Sequence, residues 1–142
     1  MAKHVLLPMD GSDQARDALE HALEEHADAR ITVLHVIDPA RATYGAQAGI
    51  PPSSEDWFEA EEASAETLFE EIRERAGEAG VEVETATEVG QPSRAIVEYV
   101  EAHDVDHVVI GSHGRKGLSR VLLGSVAELV VRRSPVPVTV VR

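Results

Sequence analysis

The chain has 142 residues, enough for one compact domain with a hydrophobic core, and its lack of cysteine excludes disulfides and thiolate metal sites. No stretch approaches the roughly 18 apolar residues that are needed to span a bilayer. The first apolar run contains Pro8 and ends at Asp10, which is unlike the apolar segment of a signal peptide. We therefore expect a single domain over residues 1–142, located in the cytoplasm and without membrane association.

Charge is distributed unevenly along the chain, whose formal net charge is -13. Residues 1–110 contain 7 Lys or Arg and 25 Asp or Glu, whereas residues 111–142 contain 6 Lys or Arg and one acid. So acidic a surface disfavours nucleic acid as a partner. Lysine occurs only at Lys3 and Lys116, against 11 arginines. An acid-rich, lysine-poor surface suits high salt, because screening weakens self-repulsion, but an ordinary acidic cytosolic protein is an open alternative to a halophilic one.

The first half of the chain alternates apolar runs with helical patterns. Residues 4–9 are nearly all apolar and predict a buried strand. Apolar residues at helical spacing predict a helix over 13–26, for which Ser12 is a suitable N-cap. Residues 31–37 predict a second buried strand. Residues 38–54 contain three prolines and two glycines, so they predict a long loop of a kind that is often functional.

The second half continues the alternation of helix and strand. The predicted elements are a helix over 55–79, a half-exposed strand over 81–89, a helix after the turn at 90–93, a short buried strand over 107–110, a helix over 124–133 and a final strand in which Val136, Val138 and Val140 alternate with other residues.

This order of elements predicts an α/β fold with an open parallel sheet of five strands and helices on both faces. The first, second and fourth strands are apolar throughout, as burial on both faces requires, whereas the third and fifth alternate as edge strands do. The strand order 3-2-1-4-5 satisfies both conditions. Pro8 is an obstacle, because proline cannot donate a hydrogen bond within a central strand, but it lies near the end where pairing can already have finished.

A glycine-rich segment follows the fourth strand and leads into the last predicted helix. It reads Gly111-Ser112-His113-Gly114 and continues to Gly124-Ser125. Glycines between a strand and a helix let backbone N–H groups approach an anion, and the helix N-terminus adds partial positive charge. The spacing matches neither the P-loop nor the dinucleotide-binding fingerprint. In the predicted strand order this segment and Asp10 meet at the carboxyl ends of strands one and four, where open α/β sheets bind ligands.

These residues resemble the ATP-binding branch of the universal stress protein family over essentially the whole chain. That branch has the pattern Gly-x2-Gly-x9-Gly-Ser/Thr, which Gly111, Gly114, Gly124 and Ser125 match without a gap. The strand endings Pro8-Met9-Asp10 and His35-Val36-Ile37-Asp38 also match. The family fold is Rossmann-like, of the adenine nucleotide alpha-hydrolase-like type, which agrees with the strand order argued above.

The resemblance implies a set of nucleotide contacts. Asp10 is expected beside the ribose, and the main chain of Val36 beside adenine. The phosphates are expected on Gly111, Gly114, Gly124, Ser125 and the N–H of Val126. Pro8 and Arg115 complete the candidate binding residues. The ligand implied is ATP with Mg²⁺ or Mn²⁺ bound through the phosphates, and the family dimerises through its last strand, here Val136–Val141.

Simpler roles are open for the same residues. The glycines can serve only as turn residues, Asp10 and Ser125 as helix caps, and Arg115 and Lys116 as solvated surface. His113 can be catalytic or an ordinary loop residue. No catalytic residue or metal ligand is expected. His35 is expected to pack in or beside the sheet, and no shared ligand spacing joins the remaining five histidines, which are His4, His21, His26, His103 and His107.

Three functions are consistent with this sequence. The first is an ATP-binding stress-response or regulatory module that acts as a homodimer. The second is a slow ATPase, since phosphoryl transfer needs little beyond positioning, a metal and neutralised charge. The third is a dimeric scaffold or chaperone-like protein with a vestigial nucleotide pocket.

Overall fold

The computed structural model describes residues 2–41, 55–112 and 123–142. The strands in this part of the chain are β1 (His4–Pro8), β2 (Arg30–Ile37), β3 (Val83–Val89), β4 (His107–Gly111) and β5 (Val138–Val141). The helices are α1 (Asp13–Glu25), α2 (Glu55–Glu78), α3 (Pro92–Ala102) and α4 (Ser125–Arg133), with a short 3-10 helix at Pro39–Arg41.

The five strands form one parallel sheet in the order β3-β2-β1-β4-β5, which confirms the predicted order. The burial of each strand agrees with the sequence pattern from which this order was predicted. Every residue of β1 is buried, and β2 and β4 are buried over most of their length, whereas β3 and β5 are half-buried or exposed. Alternation of apolar and polar residues therefore marked the two edges of the sheet correctly.

Helices cover both faces of the sheet, as predicted. On one face α1 and α2 pack over apolar residues that include Val5, Leu7 and Val109. On the other face α3 and α4 pack over Leu6 and Val108, among others. Successive residues of β1 thus enter opposite cores, as the pleat of a strand requires.

Several predicted boundaries are wrong by one or two residues. The last helix begins at Ser125 rather than Gly124, which is its N-cap. The third strand begins at Val83 rather than at residue 81. The long helix ends at Glu78 rather than at residue 79. Of the predicted loop over 38–54, residues 42–54 lie outside the described residues.

Two ion pairs join α1 to α2 across the surface of the first core. Arg75 donates two hydrogen bonds to the carboxylate of Glu20, one of them from Nε to Oε2 at 2.7 Å. Arg16 pairs with Glu71 at 3.1 Å. The hydrogen bonds from Arg75, followed by its charge, lower the pKa of Glu20 despite an opposing effect of burial.

None of the helices in the described ranges is both long and apolar enough to cross a membrane.

Candidate functional site

The ladder between the central strands β1 and β4 ends before the carboxyl end of either strand. Both strands are described over their full length, and they pair at Val5–His107 and Leu6–Val108. By contrast, β1 pairs with β2 as far as Pro8–Leu34, and β4 pairs with β5 as far as Gly111–Val141. These strand ends lie where the chain changes its direction of winding, which is where open α/β sheets bind ligands, and the space between them is called the crevice below.

Pro8 is compatible with this arrangement for a specific reason. The Met9 N–H donates to the Leu34 carbonyl at 2.8 Å, and the His4 carbonyl accepts from the N–H of Asp106, so alternate residues of β1 face β2 and β4. Pro8 faces β4, where pairing has already ended at Leu6. Because Pro8 has no N–H with which to continue this ladder, it lies at the end of the pairing rather than within it.

The turn after β1 is held by side-chain hydrogen bonds. Asp10 Oδ1 accepts from the Ser12 N–H at 2.9 Å, and Gly11 between them has a φ of 83°, a conformation that favours glycine. Ser12 is the N-cap of α1, and its hydroxyl accepts from the Ala15 N–H at 3.1 Å. The prediction of Ser12 as the cap is confirmed, and Asp10, half-buried at the crevice, is not the cap.

The start of α4 follows the end of β4 and is built differently from that of α1. Gly124 is its buried N-cap and contributes no side-chain hydrogen bond, whereas Ser12 caps α1 and Gln91 caps α3. The Gly124 N–H donates to the Ser112 carbonyl at 2.7 Å, so this amide is already satisfied. The next three N–H groups, of residues 125–127, have no acceptor among the described residues, as the first turn of a helix leaves them.

The role of Gly111 in packing was not apparent from the sequence. A Cβ at this position would lie 2.7 Å from the Gln14 carbonyl carbon and 2.8 Å from the Ala15 nitrogen. Only glycine lets the end of β4 approach the first turn of α1 this closely. Gly111 thus sets how closely α1 packs against the end of β4.

The remaining candidate residues are distributed as follows. Val36 is half-buried in β2, beside the same core as Leu34, and Val126 is half-buried on α4. Ser125 is exposed as the first residue of α4. Gly114 and Arg115, like His113 and Lys116, lie outside the described residues.

The basic part of the chain is more dispersed in space than in sequence. Arg132 and Arg133 lie in the last turn of α4, and Arg132 pairs with Glu128 at 3.0 Å. At 1.5 Å per residue, Arg132 is roughly 10 Å along the helix axis from Ser125. The positive charge of these two side chains therefore lies away from the helix start.

Two residues near the carboxyl ends of the strands make contacts that the sequence did not predict. Ser112 is buried, and its backbone bonds both the end of β5 and the start of α4. Its N–H donates to the Val141 carbonyl at 2.8 Å, and its carbonyl accepts from the Gly124 N–H. His35 is buried on β2, and its Nδ1 lies 2.8 Å from the Met9 carbonyl oxygen. The packing of His35 in or beside the sheet was predicted, but its contact with Met9 was not, because Met9 is 26 residues away along the chain.

Histidines gather at the opposite, amino end of the sheet. The rings of His26 and His107 have centroids 5.2 Å apart, and His21 lies 6.2 Å from His26. Burial, followed by the charges of Lys3 and His21, lowers the pKa of His26; burial, followed by the charge of His26, lowers the pKa of His107. Across the part of the chain that the structure describes, no group of three or more His, Asp or Glu side chains is arranged to hold a metal ion.

The fold and the crevice define an open, doubly wound α/β protein with a helix N-terminus at its topological switch point. The sequence matches the model of the universal stress protein family over residues 1–142. The chain belongs to this family, which confirms the resemblance noted in the sequence.

Similar proteins cover the chain from end to end. The universal stress protein YxiE of Bacillus subtilis is 34% identical over 148 residues, which span 100% of both chains. The solved structure of MJ0577 from Methanocaldococcus jannaschii has a TM-score of 0.82 and 32% identity, covering 99% of this chain and 96% of that one. The structure of a universal stress protein in complex with cAMP has a TM-score of 0.70 and 26% identity, covering 99% and 96%.

Proposed function

We propose that this protein is a single-domain, adenine nucleotide-binding regulatory module of the stress response, and that ATP is its ligand. The observation that carries the proposal is the start of α4, where a helix without a side-chain cap begins at the edge of the crevice between β1 and β4. The N–H groups of Ser125 and Val126 would donate to phosphate oxygens there. A similar protein has been solved in complex with cAMP, which supports an adenine nucleotide as the ligand class.

The charge at Asp10 supports the orientation of the nucleotide. A carboxylate repels phosphates but accepts hydrogen bonds from hydroxyl groups, so the ribose is a better neighbour for Asp10 than the triphosphate. Val36 lies one strand further from α4, near the end of β2, and its main chain would meet the base. Adenine, ribose and phosphates would thus cross the sheet from β2 to α4.

A divalent cation would be held mainly by the phosphate oxygens, since Mg²⁺ commonly binds through substrate phosphates and water. Such an ion would neutralise phosphate charge close to Asp10. A slow ATPase activity is the second candidate, and the release of inorganic phosphate measured beside binding separates it from a pure binding module.

We further propose that the protein is a homodimer paired through β5. The carbonyls of Pro137 and Val141 point to β4, so the N–H and C=O groups of Val138 and Val140 point to the open edge of the sheet. An exposed edge of this kind is a template for a second strand. Sedimentation at tens of micromolar protein tests this, and a monomer alone would contradict it.

We propose a cytoplasmic, high-salt setting from the surface charge. The acidic side chains of α2 are exposed along most of its length, for example at Glu55, Glu62 and Glu70. A melting temperature that rises between low and molar KCl is expected, because salt screens their mutual repulsion. No gain would count against adaptation to salt.

The nucleotide proposal is tested by two variants of one residue. Ser125→Ala removes only the hydroxyl, whereas Ser125→Pro also removes the first N–H of α4. Proline fits this position without disturbing the helix, because it is the first helical residue and Gly124 before it has an extended ψ of 158°. The two variants should therefore have similar melting temperatures.

Calorimetry with Mg-ATP is the measurement. We expect Ser125→Pro to bind about tenfold more weakly than Ser125→Ala, as befits one hydrogen bond to a charged group. If the unmodified protein gives no heat at millimolar Mg-ATP, nucleotide binding is refuted. Equal affinities for the two variants would refute the role of the helix amide.

A further inference from the structure

Met9 precedes Asp10, the residue that the proposed function places beside the ribose. Both backbone polar groups of Met9 form hydrogen bonds with residues of β2. Its N–H donates to the Leu34 carbonyl at 2.8 Å. Its carbonyl oxygen lies 2.8 Å from Nδ1 of His35, the next residue of the same strand. Because a carbonyl can only accept, Nδ1 carries the hydrogen of this bond.

The hydrogen bond from His35 acts on Asp10 through a rigid unit. The Met9 carbonyl belongs to the Met9–Asp10 peptide, which is planar, so holding its oxygen also fixes the direction of the Asp10 backbone. From there Asp10 accepts the Ser12 N–H at 2.9 Å. His35 and the start of α1 therefore both act on the position of the Asp10 carboxylate.

Water cannot replace the hydrogen bond that His35 donates to the Met9 carbonyl, because both residues are buried. His35 is only 7% exposed, and Met9 only 2%. Without the Nδ1 hydrogen, the Met9 carbonyl would be buried and unpaired, which is costly enough to turn the peptide toward another donor. Such a turn would displace the Asp10 carboxylate.

We propose that His35 is a positioning residue for recognition of the nucleotide ribose, acting through the Met9 carbonyl on Asp10. This inference rests on the proposed function. It assigns ribose selectivity to a histidine that need not touch the ligand.

Two substitutions separate the hydrogen bond from the bulk of the side chain. His35→Asn retains an N–H donor at the δ position, the same number of bonds from the backbone as Nδ1. His35→Leu fills much of the space but has no donor. Asp10→Ala and the double variant Asp10→Ala/His35→Leu complete a mutant cycle.

The measurement is the ratio of the dissociation constants for 2′,3′-dideoxy-ATP and ATP, both with Mg²⁺, by calorimetry. We expect a ratio of about ten in the unmodified protein, as befits hydroxyl groups bonded to a carboxylate. The ratio should persist in His35→Asn and fall toward one in His35→Leu. In the Asp10→Ala background, His35→Leu should leave the dissociation constant for ATP itself unchanged, whereas general loss of structure would raise it.

The possible failures are distinguishable. If the unmodified protein discriminates by the ribose and His35→Leu retains that ratio, the inference alone is overturned. If the unmodified protein binds no ATP, the proposed function is overturned together with it. Should His35→Leu fail to fold, His35→Gln decides by the same ratio, since its amide lies one carbon further from the backbone and cannot reach the Met9 carbonyl in the same geometry.

Discussion

Substitution of Gly111 by alanine should destabilise the protein even in the absence of any ligand. The new Cβ would lie 2.7 Å from a backbone carbon of Gln14 and 2.8 Å from the Ala15 nitrogen. Since carbon atoms pack at about 3.5 Å or more, β4 and α1 would have to separate by roughly 0.8 Å. Neither element can yield easily, because β4 is paired with β5 as far as Gly111 and α1 is buried at Ala15 and Ala18.

The expected cost lies at the upper end of the range for overpacked cores, about 3 kcal/mol, because the clash is with backbone and not with a flexible side chain. For a chain of this size that corresponds to a fall in melting temperature of about 10 °C. Urea unfolding, followed by the fluorescence of the single and buried Trp57, gives the free energy directly.

Gly77 provides a matched control for the same chemical change. It lies inside α2, and a Cβ there would meet no atom within 4 Å. Gly77→Ala should therefore stabilise the protein by about 0.5 kcal/mol, through the better helix propensity of alanine. The reasoning is refuted if ligand-free Gly111→Ala melts within about 2 °C of the unmodified protein, a shift worth less than about 1 kcal/mol.

Two further predictions concern pH. His26 and His107 have pKa values lowered from 6.5, so below that pH the unfolded chain binds protons that the folded chain resists, and stability should fall on acidification. His107 Nε2 contacts Thr139 at 2.7 Å, and His107→Gln retains a donor or acceptor for that contact but cannot titrate. The urea midpoint of this variant should therefore fall less than that of the unmodified protein between about pH 7.5 and 5.5. An equal fall would contradict the role of this histidine cluster. Glu20 has a pKa lowered from 4.5, so its stabilisation is complete above 4.5 and is lost as pH falls through the lower, folded value. Glu20→Gln should lose that contribution at neutral pH and show a shallower decline of its melting temperature below about pH 5, and an unchanged acid profile would show that the pair with Arg75 contributes nothing.

The order of the strands was predictable from the sequence, because it depends on the burial pattern within each strand. Continuous burial marked β1, β2 and β4, and alternation marked β3 and β5. The N-cap of α1 was equally local, since Ser12 bonds a residue only three positions away. Both kinds of signal lie within one element of the chain.

Contacts between distant elements were not predictable in the same way. The crowding of Gly111 against Gln14, and the hydrogen bond from His35 to Met9, join residues that become neighbours only after the sheet has formed. Arg132 and Arg133 likewise follow Gly124 closely in the sequence but lie at the far end of α4.

The backbone of Ser112 gives the edge strand and the start of α4 a common neighbour. One side of this residue binds the last residue of β5, and the other binds the amide that precedes α4. Changes introduced at these two places should consequently have non-additive energies, although they lie on different elements. By linkage, a molecule that binds the start of α4 and acts through Ser112 would change the affinity of a partner for β5 by a certain factor. Binding of that partner at the sheet edge would change the affinity for the molecule by the same factor.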